Sequence, residues 1–177
     1  IAVAAYGIVA NVSIVTLSIF NGLSHGAQPL LSEAYGKQEP KLMKKTLSYS
    51  IAETLILAVS LYAIIFFNAE PLANIFNGEN NPALTLLASQ GMWIYFTGIP
   101  FAGINILMSV YFVSIFDPRP AYLVSLLRGL IILVPTAIIL SRLLEMTGTW
   151  LSFPVTEVIV CLVAIYIFRA NKKRLVE

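Results

Sequence analysis

The sequence predicts an all-α polytopic transmembrane bundle of about five spans, and three observations carry the prediction. Hydrophobic residues make up 58% of the 177-residue chain and charged residues 11%, where an ordinary soluble domain has roughly 25% charge. Mean hydropathy is +0.84, and the apolar residues fall in long blocks instead of the short periodic stripes of a soluble helix. The basic residues gather in alternate connections between the blocks, as they do where loops alternate across a bilayer.

A helix needs about 20 mostly apolar residues to cross a hydrocarbon core of about 30 Å. Five segments qualify: 1–31, 46–67, 83–116, 121–140 and 150–168. Ile1 lies inside the first apolar run, with no basic stretch or cleavage site before it, so that run reads as a span and not as a signal peptide. The chain looks like a cut through a longer protein. Between the first two spans, Gly36 is expected to take the left-handed conformation that ends a helix, and Pro40 to open the next. Asn81-Pro82 reads as an N-cap followed by a first-turn proline. Asp117-Pro118-Arg119-Pro120 is a tight break, and Thr147-Gly148-Thr149 is expected to close the last connection. The 68–81 connection carries a short amphipathic piece.

Lys37, Lys41, Lys44 and Lys45 follow the first span, Arg119 the third, and Arg169, Lys172, Lys173 and Arg174 the fifth. The other connections hold Arg142 alone. The positive-inside rule places the nine in the cytoplasm, with the start of the chain outside and Glu177 inside. The expected location is the cell (inner) membrane, multi-pass, with membrane lipid as surroundings.

Composition also narrows the chemistry. A formal net charge of +2 gives no case for nucleic acid as a partner. Cys161 and His25 are the only residues of their kinds, which leaves no disulfide framework and little material for a metal or a hydrolytic triad. No metal, no cofactor and no covalent catalysis are expected.

Charged side chains inside a bilayer cost roughly 2.5–3.5 kcal/mol each unless paired or wetted. Three stand deep: Glu53, Arg128 and Glu157. Glu53 and Arg128 each lie seven residues in from the same face, about 10 Å at 1.5 Å per residue, so a structural Glu53–Arg128 pair is the preferred reading, with a place on the ion or substrate pathway as the alternative. Glu157, counted from the opposite face, has no basic partner at its depth and reads as the functional carboxylate. Asn11, Asn21, Gln28 and Asn105 are amides in apolar helices. Bonding across helices is the preferred reading for them, and lining a wet pathway is the alternative for all four, with Gln28 and Asn105 as the chosen pathway candidates. Pro100 and Pro135 permit kinks. Trp150 suits an interfacial belt, and Trp93 lies near a span end.

The run Gly26-Ala27-Gln28-Pro29 followed by Ala34-Tyr35-Gly36, ahead of a basic loop, resembles a signature of the multidrug and toxic compound extrusion (MATE) family. Leu72-Ala73-Asn74-Ile75-Phe76, Leu126-Leu127-Arg128-Gly129 with Pro135, and 148–157 resemble later segments of that family in the same order. The resemblance implies helices eight to twelve of a twelve-helix, two-lobed transporter, with the N-terminal lobe as a missing partner. It further implies exchange of protons or sodium ions for small, cationic, lipophilic drugs. In several subgroups an acidic residue in the tenth helix takes part in coupling, whereas 83–116 here contains no Asp or Glu. The alternatives are a lipid-linked precursor or polysaccharide flippase of the same superfamily, and a non-transporting membrane subunit. An intramembrane enzyme is disfavoured, because no span carries paired aspartates.

Overall fold

The computed structural model describes residues 1–78 and 80–174, without the side chains of 171–174. The expectation that Lys172, Lys173, Arg174 and Glu177 lie on the cytoplasmic side therefore falls outside the described residues or side chains. Every element described is helical. Four stretches are long and apolar enough to cross a membrane: Ala2–Gly36, Pro40–Phe67, Pro82–Ser114 and Pro118–Ala170.

Helix α1 (Ala2–Gly36) ends without help from glycine. Gly36 keeps an ordinary φ, and Gln38 takes the left-handed conformation (φ 54°) instead. The backbone N–H groups of Lys37, Gln38 and Glu39 bond back to the carbonyls of the last turn, and this places the reversal two residues later than the sequence suggests. Pro40 opens α2 (Pro40–Phe67). A short helix, α3 (Ala69–Phe76), lies against α4 (Pro82–Tyr95). Asn81 caps α4 as expected, its side chain accepting from the N–H groups of Ala83 and Leu84.

The third stretch is not one rod. A 3₁₀ turn at Phe96–Gly98 separates α4 from α5 (Ile99–Ser114), and Pro100 sits in the first turn of α5, where its missing N–H costs no bond. Phe116 (φ 59°) and Asp117 then break the chain before α6 (Pro118–Leu126).

The fourth stretch folds back on itself. Helix α6 runs into a π-helical segment, Leu127–Ile131, and then α7 (Leu133–Arg174). Glu145 (φ 52°, ψ −126°) is non-helical inside α7. The arms on either side of it are antiparallel, because Gly148 comes so close to Leu140 that a Cβ would collide with the Leu140 carbonyl. Residues eight apart in a straight helix stand about 12 Å apart. The reversal is thus at Glu145, not at Thr147-Gly148-Thr149, and Gly148 serves as the contact point inside the returning arm. Four apolar stretches give five passes.

Helix α5 is the central post, packed by α1, α2, α6 and α7. One apolar cluster joins Phe20, Met92, Phe96, Ile99, Trp150 and Phe153. A second joins Leu31, Leu107, Phe112, Val124 and Val160. Close approaches fix the register between helices: Gly91 faces the Trp150 ring, Gly98 the Pro154 backbone, and Gly103 both Phe20 and Thr54. Trp150 is buried and stacked on Tyr6 at 5.8 Å, so it is a core residue and not part of an interfacial belt. Trp93 donates its ring N–H to the Phe66 carbonyl, and Tyr62 donates its hydroxyl to the Trp93 carbonyl, tying α4 to α2.

Candidate functional site

Between the two apolar clusters lies a compact set of buried polar groups. Glu157 stands on the returning arm of α7, between Phe153 of one cluster and Val160 of the other. Asn105 stands on α5, between Ala102 and Leu107. Arg128 comes from the π segment. One Glu157 carboxylate oxygen, Oε1, accepts from Arg128 Nη2 at 2.8 Å and from Arg128 Nε at 3.1 Å. The other, Oε2, accepts from Asn105 Nδ2 at 2.7 Å. The same Asn105 nitrogen also donates to the Glu157 backbone carbonyl at 3.0 Å. The Glu157 side chain is 3% exposed and that of Arg128 22%, while Asn105 is wholly buried.

Each partner arrives there for a local reason. Pro135 lacks the N–H that a regular helix would direct to the Ile131 carbonyl. The chain widens just before it, with the Ile132 N–H reaching back five residues to Leu127 at 2.9 Å. This is the i→i+5 pattern of a π turn, a local widening frequent at functional sites. The segment carries Arg128 toward α7. A deep charge pair in a bilayer demands mutual compensation, and here a guanidinium and an amide together supply three donors to one carboxylate.

The Glu53–Arg128 pair expected from equal depth does not form. Glu53 is exposed on the outside of α2, with no hydrogen bond or ion pair among the described residues. Glu157, expected to stand alone, is the residue that holds Arg128. The depth count failed because it assigned 141–149 to a loop outside the membrane. With the helices running on to a reversal at Glu145, Arg128 and Glu157 lie 17 and 12 residues from the turn, a difference of about 7–8 Å that a long side chain spans. The pairing follows from where the chain reverses, at Glu145, and that position is set by the fold.

Gln28 is half-buried and apart from this set. Its Oε1 lies 3.0 Å from His25 Nδ1 on the same helix. Together with Ser109, Tyr122 and Ser125 the two line a cavity of about 330 Å³. Ser109 also donates to the Asn105 backbone carbonyl at 2.9 Å, so one residue touches both the cavity and the polar set. Of the other amides, Asn21 bonds within its own helix, to the Leu17 carbonyl, and Asn11 is exposed. Among the described residues two buried side-chain oxygens lack a partner, Asn105 Oδ1 and Thr156 Oγ1, and nothing in the sequence pattern marks Thr156.

Comparisons with known proteins match the chain and its fold. The family described as MatE matches residues 1–139. Among curated proteins, the chain is 25% identical over 170 residues to a protein of Shewanella oneidensis named FAD transporter, covering 94% of this chain and 36% of that one. It is 22% identical over 174 residues to the Multidrug export protein MepA of Staphylococcus haemolyticus, covering 98% and 38%. The chain thus spans well under half the length of these relatives. Two solved structures described as the inward- and outward-facing conformations of a multidrug resistance MATE family transporter of the MOP superfamily share the fold. Their TM-scores are 0.90 and 0.91 at 15% identity, over 97% and 98% of this chain and 40% and 39% of theirs.

Proposed function

The chain belongs to the MatE family, and on that premise we propose that it is the larger part of the C-terminal lobe of a cation-coupled antiporter in the cell (inner) membrane. In this reading it works with an N-terminal lobe of the same protein, exports small, cationic, lipophilic molecules by alternating access, and has its C-terminus in the cytoplasm. The observation that carries the reading is the family match over most of the chain. The polar set adds what the lobe would contribute to coupling.

In this reading the proton is the coupling ion and Glu157 its carrier. Both carboxylate oxygens already accept from N–H donors, so a sodium ion arriving there would compete with three donors for the carboxylate lone pairs. A proton meets a group able to change sides. An amide presents donors on one end and an acceptor on the other, and the Asn105 acceptor end has no partner. Protonating Glu157 would loosen Arg128. A half-turn of the Asn105 amide would then present Oδ1 to the new O–H. Glu157 can thus keep an Asn105 partner in either protonation state without moving a helix backbone, while the Arg128 link between the π segment and α7 is charge-assisted in only one of them.

A second reading concerns cargo. The Shewanella oneidensis relative is named for FAD, an anionic molecule, and favours flavin export over cationic drugs. The flippase alternative would draw on free basic groups deep in the membrane, and Arg128 is held by Glu157. Cells expressing the full-length protein test both cargoes. We expect lowered ethidium accumulation, abolished by a protonophore and indifferent to external sodium. Unchanged ethidium with rising external flavin would select the second reading, and no change in either would reject export.

A further inference from the structure

We infer that the cytoplasmic end of α2 is a binding site for a single phospholipid with an anionic headgroup. The inference depends on the exposed face of α2 and not on which molecule is exported. Lys41, Lys44 and Lys45 are all exposed within the first two turns of that helix. No acidic residue lies in its first turn. The neighbouring Lys37 is held by Glu33 at 2.6 Å and stands outside the cluster.

At helical spacing, three or four residues apart, the lysines run straight into an outward stripe. Ser48 and Ala52 come next, both small and exposed. Leu55, Ile56 and Val59 follow, with Ile56 68% and Val59 65% exposed. Ser48 and Ala52, one turn apart, carry the smallest side chains of the stripe. Tyr49, 60% exposed, stands at the boundary between the basic and apolar parts, the level at which an amphipathic ring settles at a membrane surface. The Lys45 ammonium lies 5.8 Å from the Tyr49 ring centroid, which holds that lysine along the stripe. Glu53, about 100° round the helix from Ala52, flanks the stripe beside Tyr49 and Ile56, two turns beyond Lys45.

The order along the helix is therefore cationic, small and hydroxylic, then apolar, with an aromatic at the junction. That is the order of a phospholipid read from headgroup to tail. The charge complement is an anionic headgroup, since a cluster of basic residues beside a span gains affinity from each one near an anionic leaflet.

The test is native mass spectrometry of the full-length protein released from a mixture of phosphatidylglycerol and phosphatidylcholine. The wild type should retain phosphatidylglycerol over phosphatidylcholine by about tenfold or more. Lys41→Gln/Lys44→Gln/Lys45→Gln should bring the ratio near one, and the matching triple arginine variant should keep it. Ala52→Trp, which puts a bulky ring in the middle of the stripe while leaving every lysine in place, should also lower retention, and it covers the case in which the triple glutamine variant does not fold. No preference in the wild type, or an undiminished preference in both the glutamine variant and Ala52→Trp, would overturn the inference.

Discussion

At the scale of single residues, the Glu157 carboxylate carries a buried charge that Arg128 offsets across 2.8 Å. Removing one member of a buried ion pair leaves an uncompensated charge and costs about 3–5 kcal/mol. Glu157→Gln and Arg128→Gln should each lower the melting temperature of the detergent-purified protein, and the double variant should recover part of the loss. Strict additivity of the two losses would show that the pair contributes nothing. Glu53→Gln, on an exposed and unpaired group, should stay within about 0.5 kcal/mol of wild type. The three deep charges were legible in the sequence, because an ionisable residue inside an apolar run stands out wherever it falls. Their pairing was not. It depends on where one helix turns back, and a shift of a few residues in that turn reassigns every neighbour across the hairpin. Asn105 was visible as an amide in an apolar helix, but its place against Glu157, 52 residues on, is set by tertiary packing alone.

At the scale of elements, strain and close contact concentrate at the hairpin between the two arms of α7. Glu145 adopts φ 52° and ψ −126°, a region that side chains disfavour by roughly 1–3 kcal/mol and glycine does not. Glu145→Gly should therefore raise the melting temperature, and a fall would mean that the glutamate side chain contributes more than its backbone costs. The opposite holds at Gly148, where an added methyl would meet the Leu140 carbonyl. Gly148→Ala should destabilise by about 1–3 kcal/mol, and a neutral effect would show that the arms stand far enough apart to admit a methyl. The punctuation read from sequence succeeded where a proline or a capping side chain sets it, as at Asn81-Pro82 and Asp117-Pro118. It failed at Gly36 and at 147–149. There the reversal is imposed by the packing of whole helices, and a non-glycine residue, Gln38 or Glu145, accepts the unfavourable backbone.

At the scale of the whole molecule, orientation is a matter of charge. Nine basic residues lie in connections on one side and one on the other, which favours the former in the cytoplasm. In a background lacking Cys161, single cysteines at Lys41 and Arg119 should react with an impermeant maleimide only after the cells are opened. One at Glu70 should react in intact cells, and reaction of Lys41→Cys in intact cells would invert the topology. The exposed apolar faces, with Ile56, Val59, Phe67 and Leu130 among their residues, fit a bundle surrounded by lipid and by the rest of a two-lobed transporter. The central claim is that this lobe serves proton-coupled export through Glu157, and flux into proteoliposomes tests it most directly. Full-length protein should drive uphill movement of ethidium when a pH gradient alone is imposed. Glu157→Gln should remove the response to that gradient while passive exchange of the dye persists. Gradient-driven flux that survives Glu157→Gln at the wild-type rate would contradict the claim and move the coupling site elsewhere.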